Sequence, residues 1–365
     1  MTRSNAMCSC LAASLMLAAI STFAAPPPAP PAAPPATAPA AAAPAASGYH
    51  VVKEIPLGGE GGWDYLTVDA AARRLYVTHA TRVVVVDADS GKVVGEIAGL
   101  SGIHGVALAG DLGRGFISNG RSSTVTIFDL KTLAKLGDVK TTGDNPDAIL
   151  YDPPTHRVFA FNGRSGNATV LDAATGKVAG TIALGGKPEF ATTDLLGRVF
   201  VNLEDKSEVV AIDARELTVK AHWPLAPCEE PSGMAIDRKG RRLLVGCGNQ
   251  MAAAVDADSG KVVATVPIGK GVDANAFDPA TGLGFSSNGG DATLTVIRED
   301  APDRFRVVEN VPTRRGARTM ALDEKTHTIF LATAQFGPAP APTPEQPRPR
   351  PSMVPGSFVI LVVGR

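Results

Sequence analysis

Five carboxylates stand at the openings of successive short apolar runs: Asp64, Asp147, Glu189, Glu230 and Asp273. His104 and Arg318 hold the matching place before two further runs. Such side chains do chemistry together only if the fold brings them to one place. Five or six oxygen ligands around one point would hold a hard cation such as Ca²⁺ or Mg²⁺. A ring of solvated or arginine-paired acids is the other arrangement the same residues allow. A second series closes the runs that follow: His79, Asn119, Asn162, Asn202, Cys247 and Asn288. Asparagine recurring at one place points to a backbone role, since its amide bonds neighbouring backbone groups and tolerates left-handed conformations. His79 and His104 with Asp64 would make a two-histidine, one-carboxylate metal set.

The elements that must position these residues are written as a repeat. Residues 87–94 read DADSGKVV, residues 256–263 repeat them letter for letter, and residues 172–179 read DAATGKVA. The residue ending each preceding apolar run falls at Asp87, Asp129, Asp172, Asp213, Asp256 and Arg298, at intervals of 41 to 43 residues. A period in the low forties, with several short strands per unit, predicts blades of a β-propeller, because one four-stranded sheet cannot bury both faces alone. The D-x-x-x-G-K links suit hairpins with glycine in a left-handed conformation, so those aspartates are read as structural.

Innermost strands are expected at 63–69, 105–109, 148–152, 190–194, 233–237, 274–278 and 319–323, which makes seven blades. The last blade lacks its own outer strand, whereas the domain opens with an unassigned strand at 50–56. The N-terminal strand is therefore expected to close the ring beside 358–363. Setting aside a Pro-rich stretch at 335–356 leaves about 42 residues for each blade, which predicts that this stretch is an insertion in blade seven. Its place between the second and third strands opens on the same face as the carboxylates, so it is expected over the channel mouth.

Residues 76–79, YVTH, resemble the YVTN motif of the YVTN-repeat, or YncE-like, propellers, and the D-x-x-x-G-K-V-V hairpins and the opening NPDAILYD at 145–152 are similar too. The resemblance covers the whole domain and implies a seven-bladed, all-β propeller. It implies little about function, since such propellers include binding proteins and enzymes. The chain departs from the pattern with His79 in place of asparagine and with the Pro-rich insertion.

The first 24 residues carry Arg3, an apolar run at 11–20 and a small-x-small site at 22–24, which predicts a secretory signal peptide that takes Cys8 and Cys10 with it. Residues 25–47 are almost all Pro and Ala and are expected to form a tether. The folded domain is expected over 48–365, in the periplasm or outside the cell, with no transmembrane segment. Cys228 and Cys247 are then the remaining cysteines, both at the top of blade five, and an exported protein favours their pairing; a free thiol or soft-metal pair is the alternative.

Arg314, Arg315, Arg318, Arg348 and Arg350 suggest a basic arc suited to carboxylate or phosphate groups. A net charge of −1 and an aromatic content of 5% offer little to nucleic acid. No Ser-His-Asp order, Walker loop, dinucleotide fingerprint or closely spaced metal motif occurs, which favours a binder over an enzyme. The leading expectation is an exported binding propeller for a small molecule, peptide or envelope protein. A metal-dependent lactonase or lyase, resembling gluconolactonase-type propellers, would use Asn162, Glu189, Asn202 and Asp273 as ligands to an axial cation. A scaffold in an envelope assembly is the third expectation.

Overall fold

The computed structural model describes residues 47–341, 343 and 351–365. The expected signal peptide at 1–24 and nearly all of the expected tether at 25–47 lie outside the described residues, as do Arg348 and Arg350.

Seven four-stranded antiparallel sheets form the blades of an all-β propeller. The innermost strands are Trp63–Asp69, Ile103–Ala109, Pro146–Asp152, Pro188–Thr193, Pro231–Asp237, Val272–Asp278 and Met320–Asp323. Several begin two residues earlier than the apolar pattern suggests, because their first residue pairs with the last residue of the second strand of the same blade before a bulge, as Ile103 does with Asn119 and Pro146 with Asn162. Blade seven is composed of Met320–Asp323, Thr328–Thr333, Val359–Gly364 and the N-terminal strand His50–Pro56. The register His50 to Gly364 and Pro56 to Val359 joins the two ends of the domain. Among the described residues no helix is long and apolar enough to cross a membrane.

The hairpins follow their chemistry. Asp87 Oδ1 accepts from the Ser90 amide and hydroxyl, each at 2.7 Å, and the Gly91 amide donates to the Asp87 carbonyl at 2.8 Å with φ of 75°. Asp172 with Thr175 and Asp256 with Ser259 repeat the arrangement. Blades two and four place Leu133 and Leu217 where glycine stands in blades one, three and five, at φ of 63° and 55°.

Seven clusters of buried apolar side chains fill the spaces between adjacent blades, one for each interface. Arginines at the start of second strands add polar stitches. Arg74, Arg114, Arg157, Arg198 and Arg242 each donate to carbonyl or carboxylate groups in the outer hairpin of the following blade. Hydroxyl and amide side chains do the same near the opposite face: Ser118 donates to the Asp147 carbonyl and Asn202 to the Ser232 carbonyl. The Pro-rich insertion leaves and rejoins blade seven between Thr333 and Val359, where Phe336 bridges Met353.

Candidate functional site

One position of every blade converges on the channel mouth. Asp64, His104, Asp147, Glu189, Ser232 and Asp273 are each the second residue of an innermost strand. Arg318 holds the same place in blade seven, five residues before Asp323, as Asp64 lies five before Asp69. In blades one to six the ladder shifts register at or immediately after this residue, for example between Trp63 and Leu66 and between Pro146 and Ile149. Such bulges turn a side chain out of the regular alternation. Here the seven side chains form a ring.

His104 Nδ1 lies 2.6 Å from Asp64 Oδ2 and 3.4 Å from Asp147 Oδ1. Across the ring, Arg318 Nε donates to Asp273 Oδ2 at 2.7 Å and the Ser232 hydroxyl donates to Asp273 Oδ1 at 3.1 Å. Lys187 reaches Glu204 and stands 3.4 Å from Glu189 Oε2. Tyr65 crosses the channel below the ring. Its hydroxyl donates to the Glu189 carbonyl at 3.2 Å, and its ring lies 5.2 Å from that of Phe190.

The electrostatics follow from crowding. Burial, then the charge of Asp147, pushes the Glu189 carboxyl up to about 8. Burial also raises Asp147, with Asp64 and Asp273 adding to the effect and His104 opposing it. Asp273 is raised by burial, partly offset by Arg318. Burial works against protonation of His104, but the hydrogen bond to Asp64 and the charges of Asp147, Asp64 and Glu189 outweigh it and raise its pKa. Tyr65 is pushed well up by burial and then by the charges of Asp147, Glu189, Asp64 and Asp273.

Several expected site residues lie elsewhere. His79 stacks on Phe358 at 4.1 Å, with Nε2 3.2 Å from the Gly61 carbonyl, so it does not join His104 and Asp64 in a two-histidine set. Burial lowers its pKa. Glu230 precedes the ring position by two residues, in a left-handed exposed turn, and Ser232 takes the place in blade five. Asn162 donates to Asn167 and Thr169 within its own blade, and Asn202 to the Ser232 and Gly233 carbonyls. Both are fully buried, with Nδ2 spent on these bonds and Oδ1 without a hydrogen-bond partner. Asn119 and Asn288 likewise bond third-strand threonines, a structural role met by side-chain hydroxyls instead of neighbouring backbone amides. Among the histidines, cysteines and carboxylates of the described residues, Asp64, His104 and Asp147 form a group whose ligand atoms lie within 4.8 Å of one another. An imidazole with two carboxylates suits a borderline ion such as Zn²⁺ or Mn²⁺ better than Ca²⁺.

Cys228 and Cys247 form a disulfide, Cα to Cα 5.5 Å, that ties the loop before the blade-five ring residue to the end of the second strand. Arg314 pairs with Glu54 of the closing strand at 2.6 Å, so it turns away from any arc with Arg318.

Beside the ring lies a cavity of about 680 Å³. Trp63, Gly316 and Arg318 form one side, and Phe336, Pro351, Met353 and Pro355 of the insertion form the other. Sequence reasoning passed over Tyr65, Ser232 and Trp63. Ser232 carries a readable signal, its five-residue spacing from Asp237; the aromatic residues look like core.

No known family model matches the chain, and a search of curated proteins finds no match either.

Proposed function

We propose that this chain is an exported binding propeller of the YVTN-repeat type, which takes the cationic group of a small ligand into the acid ring at its channel mouth. The observation that carries the reading is the convergence of four carboxylates, Asp64, Asp147, Glu189 and Asp273, on the channel mouth against three cations, each already engaged: His104 with Asp64, Arg318 with Asp273, and Lys187 beside Glu189. Burial first, and neighbouring carboxylates second, raise the pKa values of Asp147, Glu189 and Asp273, so ionisation of the ring is disfavoured and an added cation favours it, entering as a proton leaves. A unit charge 4 Å from a carboxylate is worth about 4 kcal/mol at an effective dielectric near 20. Several such neighbours offset the desolvation of an ammonium group.

A signal peptide at 1–24, a tether at 25–47 and a domain at 48–365, with the ring in the periplasm or outside the cell, belong to the same proposal. The ring suits a small molecule or the N-terminus of a peptide better than nucleic acid, whose phosphates it would repel.

A second reading is favoured by the Asp64, His104 and Asp147 cluster, in which a divalent ion would be the cation and would polarise a bound carbonyl for hydrolysis. One experiment separates the two. The mature protein is treated with EDTA, and its melting temperature is followed against a panel of organic amines and, separately, divalent ions. The binding reading expects a rise with an amine in the presence of EDTA, abolished in Asp147→Asn/Glu189→Gln. A rise with a divalent ion alone moves the conclusion to the metal, and no rise with either ends the ring's role as a cation site.

A further inference from the structure

The acid ring and the cavity beside it are continuous through two residues. Trp63 lines the cavity and precedes Asp64 of the ring; Arg318 lines the cavity and is itself a ring residue. Arg318 spends only Nε on Asp273, and its two terminal nitrogens make no hydrogen bond among the described residues. A guanidinium edge left in this state fits a carboxylate by two parallel hydrogen bonds. Trp63 Nε1 is buried and without a hydrogen-bond partner, so the indole meets the cavity through its carbon atoms. The rest of the cavity wall is mainly apolar: the indole of Trp63, the ring of Phe336 6.1 Å from it, Met353 and Pro355, with Glu60 exposed at the rim. A volume of about 680 Å³ is ample for an organic ligand of modest size.

Resting on the proposal above, we propose that the ligand is amphoteric: its ammonium enters the acid ring, its carboxylate binds the free edge of Arg318, and an apolar side chain fills the cavity between Trp63 and Phe336. That is the composition of an apolar or aromatic amino acid or of a short peptide bearing one. Arg318 and Asp64 are adjacent in blade order, and both Asp273 and Asp64 act electrostatically on Arg318, so the positive and negative subsites lie side by side. A plain organic anion meets Arg318 but is repelled by the ring. A plain amine satisfies the ring but leaves the guanidinium edge without a partner.

The test uses the mature protein, titrated calorimetrically with the twenty amino acids and a set of apolar dipeptides in EDTA. The best binder is then compared with its decarboxylated amine and with the acid lacking its amino group, on wild type, Arg318→Gln and Met353→Ala. The tightest ligand is expected to be a zwitterion with an apolar side chain. Arg318→Gln should weaken it about tenfold while leaving the decarboxylated amine as tight as before or tighter, because Asp273 is freed. Met353→Ala should weaken parent and amine alike. If the amine binds wild type as tightly as the parent, or if simple amines bind while every zwitterion fails, the amphoteric ligand is refuted and the cation-binding ring survives. If neither amines nor zwitterions bind, the ring reading falls with it. Unchanged melting of the unliganded variants guards against misfolding as the cause.

Discussion

Glu189 carries the clearest consequence of burying a carboxylate among its own kind. Its folded pKa of about 8 stands above the ordinary value of 4.5, so between these the native state keeps a proton that the unfolded chain has released. Stability from this group therefore falls as pH rises across that window, by at most about 1.4 kcal/mol per pH unit. His104 acts in the same direction: its pKa is raised in the fold, so its contribution is complete below 6.5 and is lost as pH climbs through the folded value. Wild type should lose stability between pH 5 and pH 8, measured by urea midpoints, and Glu189→Gln should lose less and be the more stable of the two at pH 8. Superimposable profiles would show that Glu189 is not buried against Asp147. At this scale the sequence was only half legible. Residue type pointed to Asp64, Asp147, Glu189 and Asp273, yet type alone also selected Glu230, whereas the spacing of five residues from the strand-ending aspartate selects Ser232. His79 could not be placed locally, because what buries it is Phe358, almost the whole chain away.

Strands and hairpins are the scale at which the sequence was most open. The D-x-x-x-G pattern specifies its turn through one carboxylate that caps two donors, so the repeat reads directly as structure. The arginine stitches were there to be read as well, at Arg74, Arg114, Arg157, Arg198 and Arg242, but their partners belong to the next blade, and only the ring's curvature shows that a hairpin comes within reach. Blade five depends on a covalent tie in addition. The Cys228–Cys247 bond closes a loop of 19 residues, and a loop of that order contributes about 3 kcal/mol by restricting the unfolded chain. Replacing the pair by Cys228→Ser/Cys247→Ala should lower the urea midpoint accordingly, and dithiothreitol should bring wild type down to the same value. Because the tied loop leads into Pro231 and Ser232, the variant should also weaken ligand binding at the ring. A reductant-insensitive midpoint would mean that the bond contributes nothing.

A ring of blades is stable only when it is closed, and here closure falls to one strand. His50–Pro56 supplies the outer edge of blade seven, with Ile55 buried in the cluster between blades seven and one and Tyr49 packed at 5.2 Å on Phe285. Burying two such side chains is worth about 1.5–3 kcal/mol each, before the ladder hydrogen bonds are added. Removing residues 48–57 would strip this strand and expose the long apolar edge Val359–Gly364, whose six residues read VILVVG. An uncovered edge of that composition pairs with other chains. The truncated protein is therefore expected to associate in sedimentation velocity and to lose its single cooperative transition, and a synthetic peptide spanning 48–57 should return it to the monomer. The same truncation tests the site, because Asp64 and Arg318 are ring neighbours separated by most of the chain and are held side by side only by the join between blades one and seven. Ligand affinity should fall with closure and recover with the peptide. A truncated chain that stays monomeric and still binds would show that the apolar interfaces alone hold the ring, and that the N-terminal strand only covers an edge.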